Sequence, residues 1–142
     1  MELFRCNAND VKEIARLEKA CIECPWTEEN LLSSLNNDNC VIVKAVEGGT
    51  IVGYGGVEIV LDEGNILNVA VDNAFRRKGI ASAIMIELAR ICKEKGVCAM
   101  FLEVNETNAG AIALYEKNGY EVISTRPRYY GEHSAIIMKK SL

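Results

Sequence analysis

The sequence has a single histidine, His133, and one Cys-x-x-Cys spacing, Cys21-Ile22-Glu23-Cys24. A closed zinc site takes its thiolate or imidazole ligands from two spaced pairs, so no metal is expected, and the lone pair gives little reason to expect dithiol redox chemistry. His133, between Glu132 and Ser134 in an expected loop, reads as a solvent-facing imidazole. No apolar run approaches the ~20 residues that cross a bilayer. The opening MELFRCNAND lacks the basic and apolar segments of a secretory signal. The expectation is therefore a cytoplasmic protein with no membrane contact, whose six cysteines are reduced thiols. Repeats, low-complexity tracts and linkers are absent too, which predicts one domain over residues 1–142. Basic charge is not in excess: 16 Lys and Arg stand against 20 Asp and Glu, a net charge of −4. That balance speaks against direct nucleic-acid binding and suits a cationic or amine-bearing substrate.

What is present is an ordinary globular composition, 49% hydrophobic and 25% charged, in an alternating pattern of strands and helices. Glu2 to Cys6 is a candidate strand. Asn9 or Asp10 can cap a helix carrying Val11, Ile14, Leu17 and Cys21 on one face. Pro25 ends it, and Thr27 caps a second helix with Leu31, Leu32 and Leu35, Trp26 packing at its entrance. Cys40 to Val46 and Ile51 to Leu61 form a hairpin through Glu47-Gly48-Gly49-Thr50. Gly53, Gly55 and Gly56 inside the second strand mark a bulge or a close backbone approach. Asp62 to Asn65 turns the chain into a strand from Ile66 to Val71.

A helix follows from Gly79 to about Lys95, with Ile80, Ile84, Leu88 and Ile91 in one stripe and Gly96 at its end. In the strand from Val97 to Val104, Met100, Leu102 and Val104 face one way, and Phe101, Glu103 and Asn105 the other. A strand separated from its predecessor by a helix is most simply parallel to it. Thr107 or Asn108 opens a further helix to about Lys117, stopped by Asn118-Gly119. Tyr120 to Thr125 is extended, Arg126 to Ser134 a loop, and Ala135 to Lys140 the closing strand. This is a mixed α/β pattern.

The chain is organised around the passage from Val69-Ala70-Val71 into Arg76-Arg77-Lys78-Gly79-Ile80-Ala81. An apolar strand breaks into a basic, glycine-containing turn, and a long helix begins. Free backbone N–H groups and the positive end of the dipole at such a helix start are suited to a diphosphate. Gly79 allows close backbone approach and Ala81 leaves the first turn unobstructed. Glu103 falls at the C-terminal edge of the neighbouring strand, beside this cradle, where ligands bind in units of this kind.

Together with Asn108-x-x-Ala111-x-x-Leu114-Tyr115-x-Lys117-x-Gly119-Tyr120, the Arg76-x-x-Gly79-x-Ala81 motif resembles the GCN5-related N-acetyltransferase (GNAT) superfamily. The resemblance extends to ribosomal-protein-alanine N-acetyltransferases of the RimI type. It does so through Pro25-Trp26-Thr27-Glu28, Leu61-Asp62-Glu63, Asn68 to Asp72, Leu102-Glu103-Val104, Tyr129-Tyr130 and Ala135-Ile136-Ile137-Met138. It implies a mixed sheet of about seven strands with helices on both faces, splayed open between Val71 and Glu103 to hold acetyl-CoA. By that resemblance Val69, Ala70 and Val71 line the pantetheine and acetyl group, Arg76 to Ala81 surround the pyrophosphate, and Asn108 reaches the coenzyme arm. Glu103 takes the part of general base and Tyr115 that of general acid.

The residue types suit the chemistry. An α-amine of pKa about 7.7–8.0 must lose a proton before it attacks a thioester, and Glu103 can take it directly or through water. A strand N–H between Val69 and Val71 can stabilise the oxyanion, and Tyr115 can protonate the departing thiolate. The partner implied is the N-terminal alanine of a small-subunit ribosomal protein; a monomer is favoured over an oligomer, and Glu28, Glu29, Asp62 and Glu63 either attract the basic start of that protein or form solvated faces. Where the family has a longer loop after the paired tyrosines, this sequence has Gly131-Glu132-His133-Ser134. Alternatives are acetylation of lysine side chains, a broader set of N-termini or a small amine, and, in another class, a non-catalytic coenzyme A-binding module.

Overall fold

The computed structural model describes residues 1–21 and 26–142, Tyr130 through its backbone alone. Cys24 of the Cys-x-x-Cys spacing and the helix-ending Pro25 lie outside the described residues. The strands are β1 (Glu2–Arg5), β2 (Cys40–Glu47), β3 (Thr50–Val60), β4 (Glu63–Val71), β5 (Ala99–Asn105), β6 (Glu121–Tyr130) and β7 (His133–Ser141). The helices are α1 (Val11–Cys21), α2 (Glu28–Leu35), α3 (Ile80–Glu94) and α4 (Ala109–Lys117).

The helix starts follow local chemistry. Thr27 caps α2, its hydroxyl accepting the Asn30 N–H while Asn30 accepts the Thr27 N–H. At α1 the cap lies one turn earlier than Asn9 or Asp10. Asn7 caps a 3-10 turn over Ala8–Asp10, and the Asp10 carboxylate accepts the Asn7 N–H. Asp10 is thus part of the capping pair, and its other role is an ion pair with Lys44 Nζ at 2.8 Å that fastens the turn to β2.

All seven strands form one sheet in the order β1-β2-β3-β4-β5-β7-β6. Every adjacent pair is antiparallel except β4 and β5, which run parallel on either side of the α3 crossover. One face buries Ile84, Leu88 and Cys92 of α3 against Val43, Val57, Met100, Leu102 and Met138. The other buries Ile14 and Leu17 of α1 and Leu31 of α2 against Ile42, Tyr54 and Ala70. Each fully buried Ile or Leu contributes about 1.5–3 kcal/mol, so α3, with its stripe in the core, is anchored along its length.

Gly55 explains how α3 comes so close. A Cβ at this position would stand 2.5 Å from Ile84 Cγ2 and 3.2 Å from Leu88 Cδ1. The glycines of β3 therefore serve helix packing, and the register shift between Gly55 and Val57 supplies the expected bulge.

Two boundaries differ from the sequence reading. The turn before β4 is Leu61-Asp62, with Leu61 at φ 56°, and the strand begins at Glu63 instead of Ile66. Pairing of Glu63 with Val60 and of Gly64 with Ile59 overrides the turn character of Asp62 to Asn65. The expected loop from Arg126 is instead the continuation of β6 to Tyr130, with the chain reversing at Gly131-Glu132. A register shift between Arg126 and Tyr130, with Arg128 at φ 55°, takes up Pro127. Proline is tolerated there because β6 is an edge strand, with no outer neighbour awaiting its N–H.

Candidate active site

The parallel pairing of β4 with β5 covers three positions, Glu63 with Ala99, Gly64 with Met100 and Asn65 with Phe101. Both strands run on, to Val71 and Asn105, without pairing to each other. The opening is a cleft of about 890 Å³ whose walls include Asn68, Val69, Val71, Glu103, Asn108 and Tyr115.

The exposed edge of β4 has a defined register. Asp72 donates its N–H to the Val52 carbonyl at 2.8 Å across the β3–β4 ladder. Hydrogen-bonded pairs recur every second residue of an antiparallel ladder, so Ala70 also faces β3 while Val69 and Val71 turn their N–H and C=O groups toward the cleft. The Val71 carbonyl accordingly finds side chains in place of a strand: Arg76 Nε donates to it at 3.2 Å and the Cys21 thiol at 3.5 Å.

Beyond Val71 the chain makes a 3-10 turn over Asn73–Phe75, capped by Asp72, whose Oδ1 accepts the Ala74 N–H. Arg77 then adopts φ 64° and Gly79 φ 78°, and α3 begins at Ile80 with no side chain capping it. The left-handed turn directs the first helical N–H groups into a pocket of about 280 Å³ lined by Arg76, Arg77, Gly79, Ala81, Ser82 and Lys117. The cations divide their work. Arg76 is tied back to the strand end, Lys78 lies over the Phe75 ring at 5.1 Å, and Lys117 enters from the last turn of α4.

On the opposite wall Glu103 keeps about a third of its side chain exposed and pairs with Arg126 Nη1 at 2.9 Å. Arg126 lies opposite Ala135, and Ala135 opposite Asn105, so the guanidinium reaches back from β6 across β7 to the β5 carboxylate. It also lies 5.8 Å from the centre of the Tyr129 ring. Tyr115, half-buried on α4, meets Tyr120 edge to face at 6.1 Å. Burial, with Cys92 and Tyr115 nearby, pushes the Tyr120 phenol far above its usual range, and its hydroxyl contacts Met100 Sδ at 3.8 Å. Asn108 caps α4, its Oδ1 accepting the Ala111 N–H at 3.1 Å, which leaves Nδ2 for other contacts. His133 stands at the hairpin end, 3.7 Å from Glu106 and half exposed.

The cleft thus brings together Val69, Ala70, Val71, Arg76, Arg77, Ala81, Glu103, Asn108 and Tyr115, with Gly79 and Ile80 on the adjoining pocket. Lys78 is the one residue of the expected set outside both linings. Among the described residues no cluster of three His, Cys, Asp or Glu side chains can hold a metal ion. No helix among them is long and apolar enough to cross a membrane.

Sequence reasoning missed Glu18. It is fully buried on α1, accepts the Trp26 N–H at 3.1 Å and takes Asn68 Nδ2 at 2.7 Å. Burial pushes its carboxyl upward, and these two bonds offset part of that rise. The signal was present in the spacing, since Ile14, Leu17, Glu18 and Cys21 complete one i, i+3, i+4, i+7 stripe. Arg126 was missed because its segment read as a loop.

The model of the Acetyltransferase (GNAT) family matches residues 9–120. The chain is 31% identical over 133 residues to the [ribosomal protein bS18]-alanine N-acetyltransferase of Escherichia coli K12, covering 91% of this chain and 89% of that protein. It is 28% identical over 132 residues to the putative [ribosomal protein bS18]-alanine N-acetyltransferase of Bacillus subtilis, covering 91% and 87%. Its fold matches the crystal structure of the ribosomal-protein-S18-alanine N-acetyltransferase from Escherichia coli with a TM-score of 0.91 at 28% identity, over 99% of this chain and 92% of that one.

Proposed function

Because the chain belongs to the GNAT acetyltransferase family, we propose that it moves an acetyl group from acetyl-CoA to the α-amine of a protein N-terminus. The acceptor in this reading is the N-terminal alanine of a small-subunit ribosomal protein, met in the cytoplasm by a chain whose residues 1–142 act as one domain. The observation that carries the reading is the early end of the β4–β5 pairing, which leaves an open strand edge beside an uncapped helix start. An extended amide chain ending in a diphosphate fits that pair of features: strand groups satisfy the amides, and helix N–H groups the phosphates.

Val69, Ala70 and Val71 hold the pantetheine arm and acetyl group in this account, and a β4 N–H meets the acetyl oxygen. Donors of this kind are worth about 3–4 kcal/mol in acyl transfer. Arg76, Arg77, Gly79, Ile80 and Ala81 receive the pyrophosphate, Lys78 adding positive charge from its place over Phe75 outside the pocket, and Asn108 Nδ2 meets the coenzyme arm. Bound acetyl-CoA supplies a thioester carbonyl open to attack by an amine. Glu103, held on the cleft wall by Arg126, accepts the ammonium proton directly or through water. The Tyr115 hydroxyl, on the facing helix, gives a proton to the departing sulfur.

The test is acetyl transfer to a basic peptide beginning Ala-Arg-Tyr, compared with its N-terminally blocked twin. Transfer to the free peptide alone is expected, and equal transfer to both would overturn the N-terminal assignment. One feature favours a second reading, a broader set of N-termini. The hairpin after the paired tyrosines closes tightly at Gly131-Glu132, and the longer loop of the family is not there to narrow the acceptor side.

A further inference from the structure

Among the described residues, Glu18 is the one charged side chain in the buried class. Burying a carboxylate is costly unless donors surround it, and packing alone does not call for one between α1 and β4. Its two oxygens have separate duties. Oε2 accepts the Trp26 backbone N–H and ties the entrance of α2 to α1, while Oε1 accepts Asn68 Nδ2.

A carboxylate has acceptors only, so the Asn68 amide is oriented with its NH₂ toward Glu18 and its Oδ1 away from it. Asn68 forms part of the cleft wall, directly before the Val69–Val71 edge, and no donor among the described residues occupies its Oδ1. We propose that Asn68, oriented by Glu18, receives the acceptor in this cleft, its Oδ1 taking an N–H from the primary amine that is to be acetylated. The inference rests on the acetyl-transfer reading and deepens it by assigning the amine a place.

The pairing suits an amine over a hydroxyl or thiol. A carboxylate behind the amide polarises it, so the outward oxygen becomes a better acceptor for a cationic or strongly polarised N–H. Glu103 stands on the facing wall of the same cleft, its carboxylate paired with Arg126, so the amine would enter between Asn68 and the proposed base. Glu18 touches no substrate in this arrangement and is a positioning residue acting through Asn68.

The test measures steady-state kinetics with the acceptor varied for wild type, Asn68→Ala, Glu18→Gln and the double variant. The wild type is run with the Ala-Arg-Tyr peptide, a lysine-containing blocked peptide and a small primary amine. Asn68→Ala is expected to raise the acceptor KM about tenfold or more, as for a lost hydrogen bond to a charged group. The KM for acetyl-CoA should stay close to wild type, while the thermal unfolding temperature falls, since the buried Glu18 loses one of its two donors. Glu18→Gln should raise the acceptor KM in the wild-type background and add little to Asn68→Ala, a non-additivity that a purely structural carboxylate does not produce. If Glu18→Gln does not fold, Asn68→Ala alone decides. An unchanged acceptor KM in Asn68→Ala, or full additivity in the double variant, overturns the inference while acetyl transfer stands. Wild-type protein that acetylates none of the three amines overturns the transfer reading and this inference with it.

Discussion

Replacing Gly55 with alanine adds one methyl group, and the structure specifies what it meets. The new Cβ would stand 2.5 Å from Ile84 Cγ2, 3.2 Å from Leu88 Cδ1 and 3.5 Å from Val69 Cγ2. Real Cβ atoms do not approach carbon to 2.5 Å, so something must shift. Ile84 and Leu88 are both fully buried, and a β-branched side chain in a helix is held to one preferred χ1 rotamer, so the shift falls on α3 as a whole. Overpacking of this kind costs about 1–3 kcal/mol. For a chain of this length that is a fall in Tm of about 3–10 °C. The displacement has a functional side, because Ile84 lies one turn from the Ile80 start of the helix, at the anion pocket. Gly55→Ala should therefore lower Tm in circular-dichroism melts and weaken coenzyme A binding in calorimetry. Combining it with Ile84→Ala, which removes the colliding methyl, should give a protein more stable than the two single losses predict. A Tm within a degree of wild type for Gly55→Ala, or strict additivity in the double variant, would refute the packing account.

Three further outcomes follow from the same structure. Tyr115→Phe should lower kcat by about tenfold or more without abolishing transfer, since a thiolate is a good leaving group and general-acid help of this kind is worth roughly 10²–10⁴ at most; unchanged kcat in a rapid-quench assay would remove the hydroxyl from the reaction. Cys98 is exposed whereas burial pushes the Cys92 thiol up to about 11, so alkylation followed by peptide mapping should label Cys98 first and Cys92 only on unfolding. Burial raises the Glu18 carboxyl above its ordinary 4.5, so the folded state holds this proton to higher pH than the unfolded chain does. Its contribution to stability is greatest below that ordinary value and is lost as pH rises through the raised one. Denaturant titrations across this range should show the loss in wild type and not in Glu18→Gln, and identical slopes for the two proteins would contradict the assignment.

Features written by neighbouring residues were legible in the sequence. The α3 stripe of Ile80, Ile84, Leu88 and Ile91, the Thr27 cap and the alternation along β5 all depend on spacing within one element, and all appear in the structure. The cradle was legible for the same reason, because a strand, a basic turn and a helix start are contiguous in the chain. What depended on distant partners was not. Arg126 to Ser134 read as a loop, yet β7 pairs with β6 on both sides of Pro127 and the edge position tolerates the proline. Gly55 could be recognised as a close approach, but only the fold shows that Ile84 is what approaches. Arg126 joins Glu103 across an intervening strand, and Asn68 joins Glu18 across fifty residues of chain. Neither partnership leaves a periodic trace. Asn108 shows two readings meeting in one residue, since its Oδ1 is a helix cap while its Nδ2 lies available beside the cleft.

The most direct test of the central claim is to label the reaction and locate the product. The protein would be incubated with acetyl-CoA carrying an isotopic acetyl group and a single peptide that holds both a free N-terminal alanine and an internal lysine. Tandem mass spectrometry then assigns the label to a nitrogen. The account predicts label on the α-nitrogen alone, with Glu103→Gln binding coenzyme A as the wild type does and transferring far more slowly. Label on the lysine, or undiminished transfer by Glu103→Gln, would contradict it.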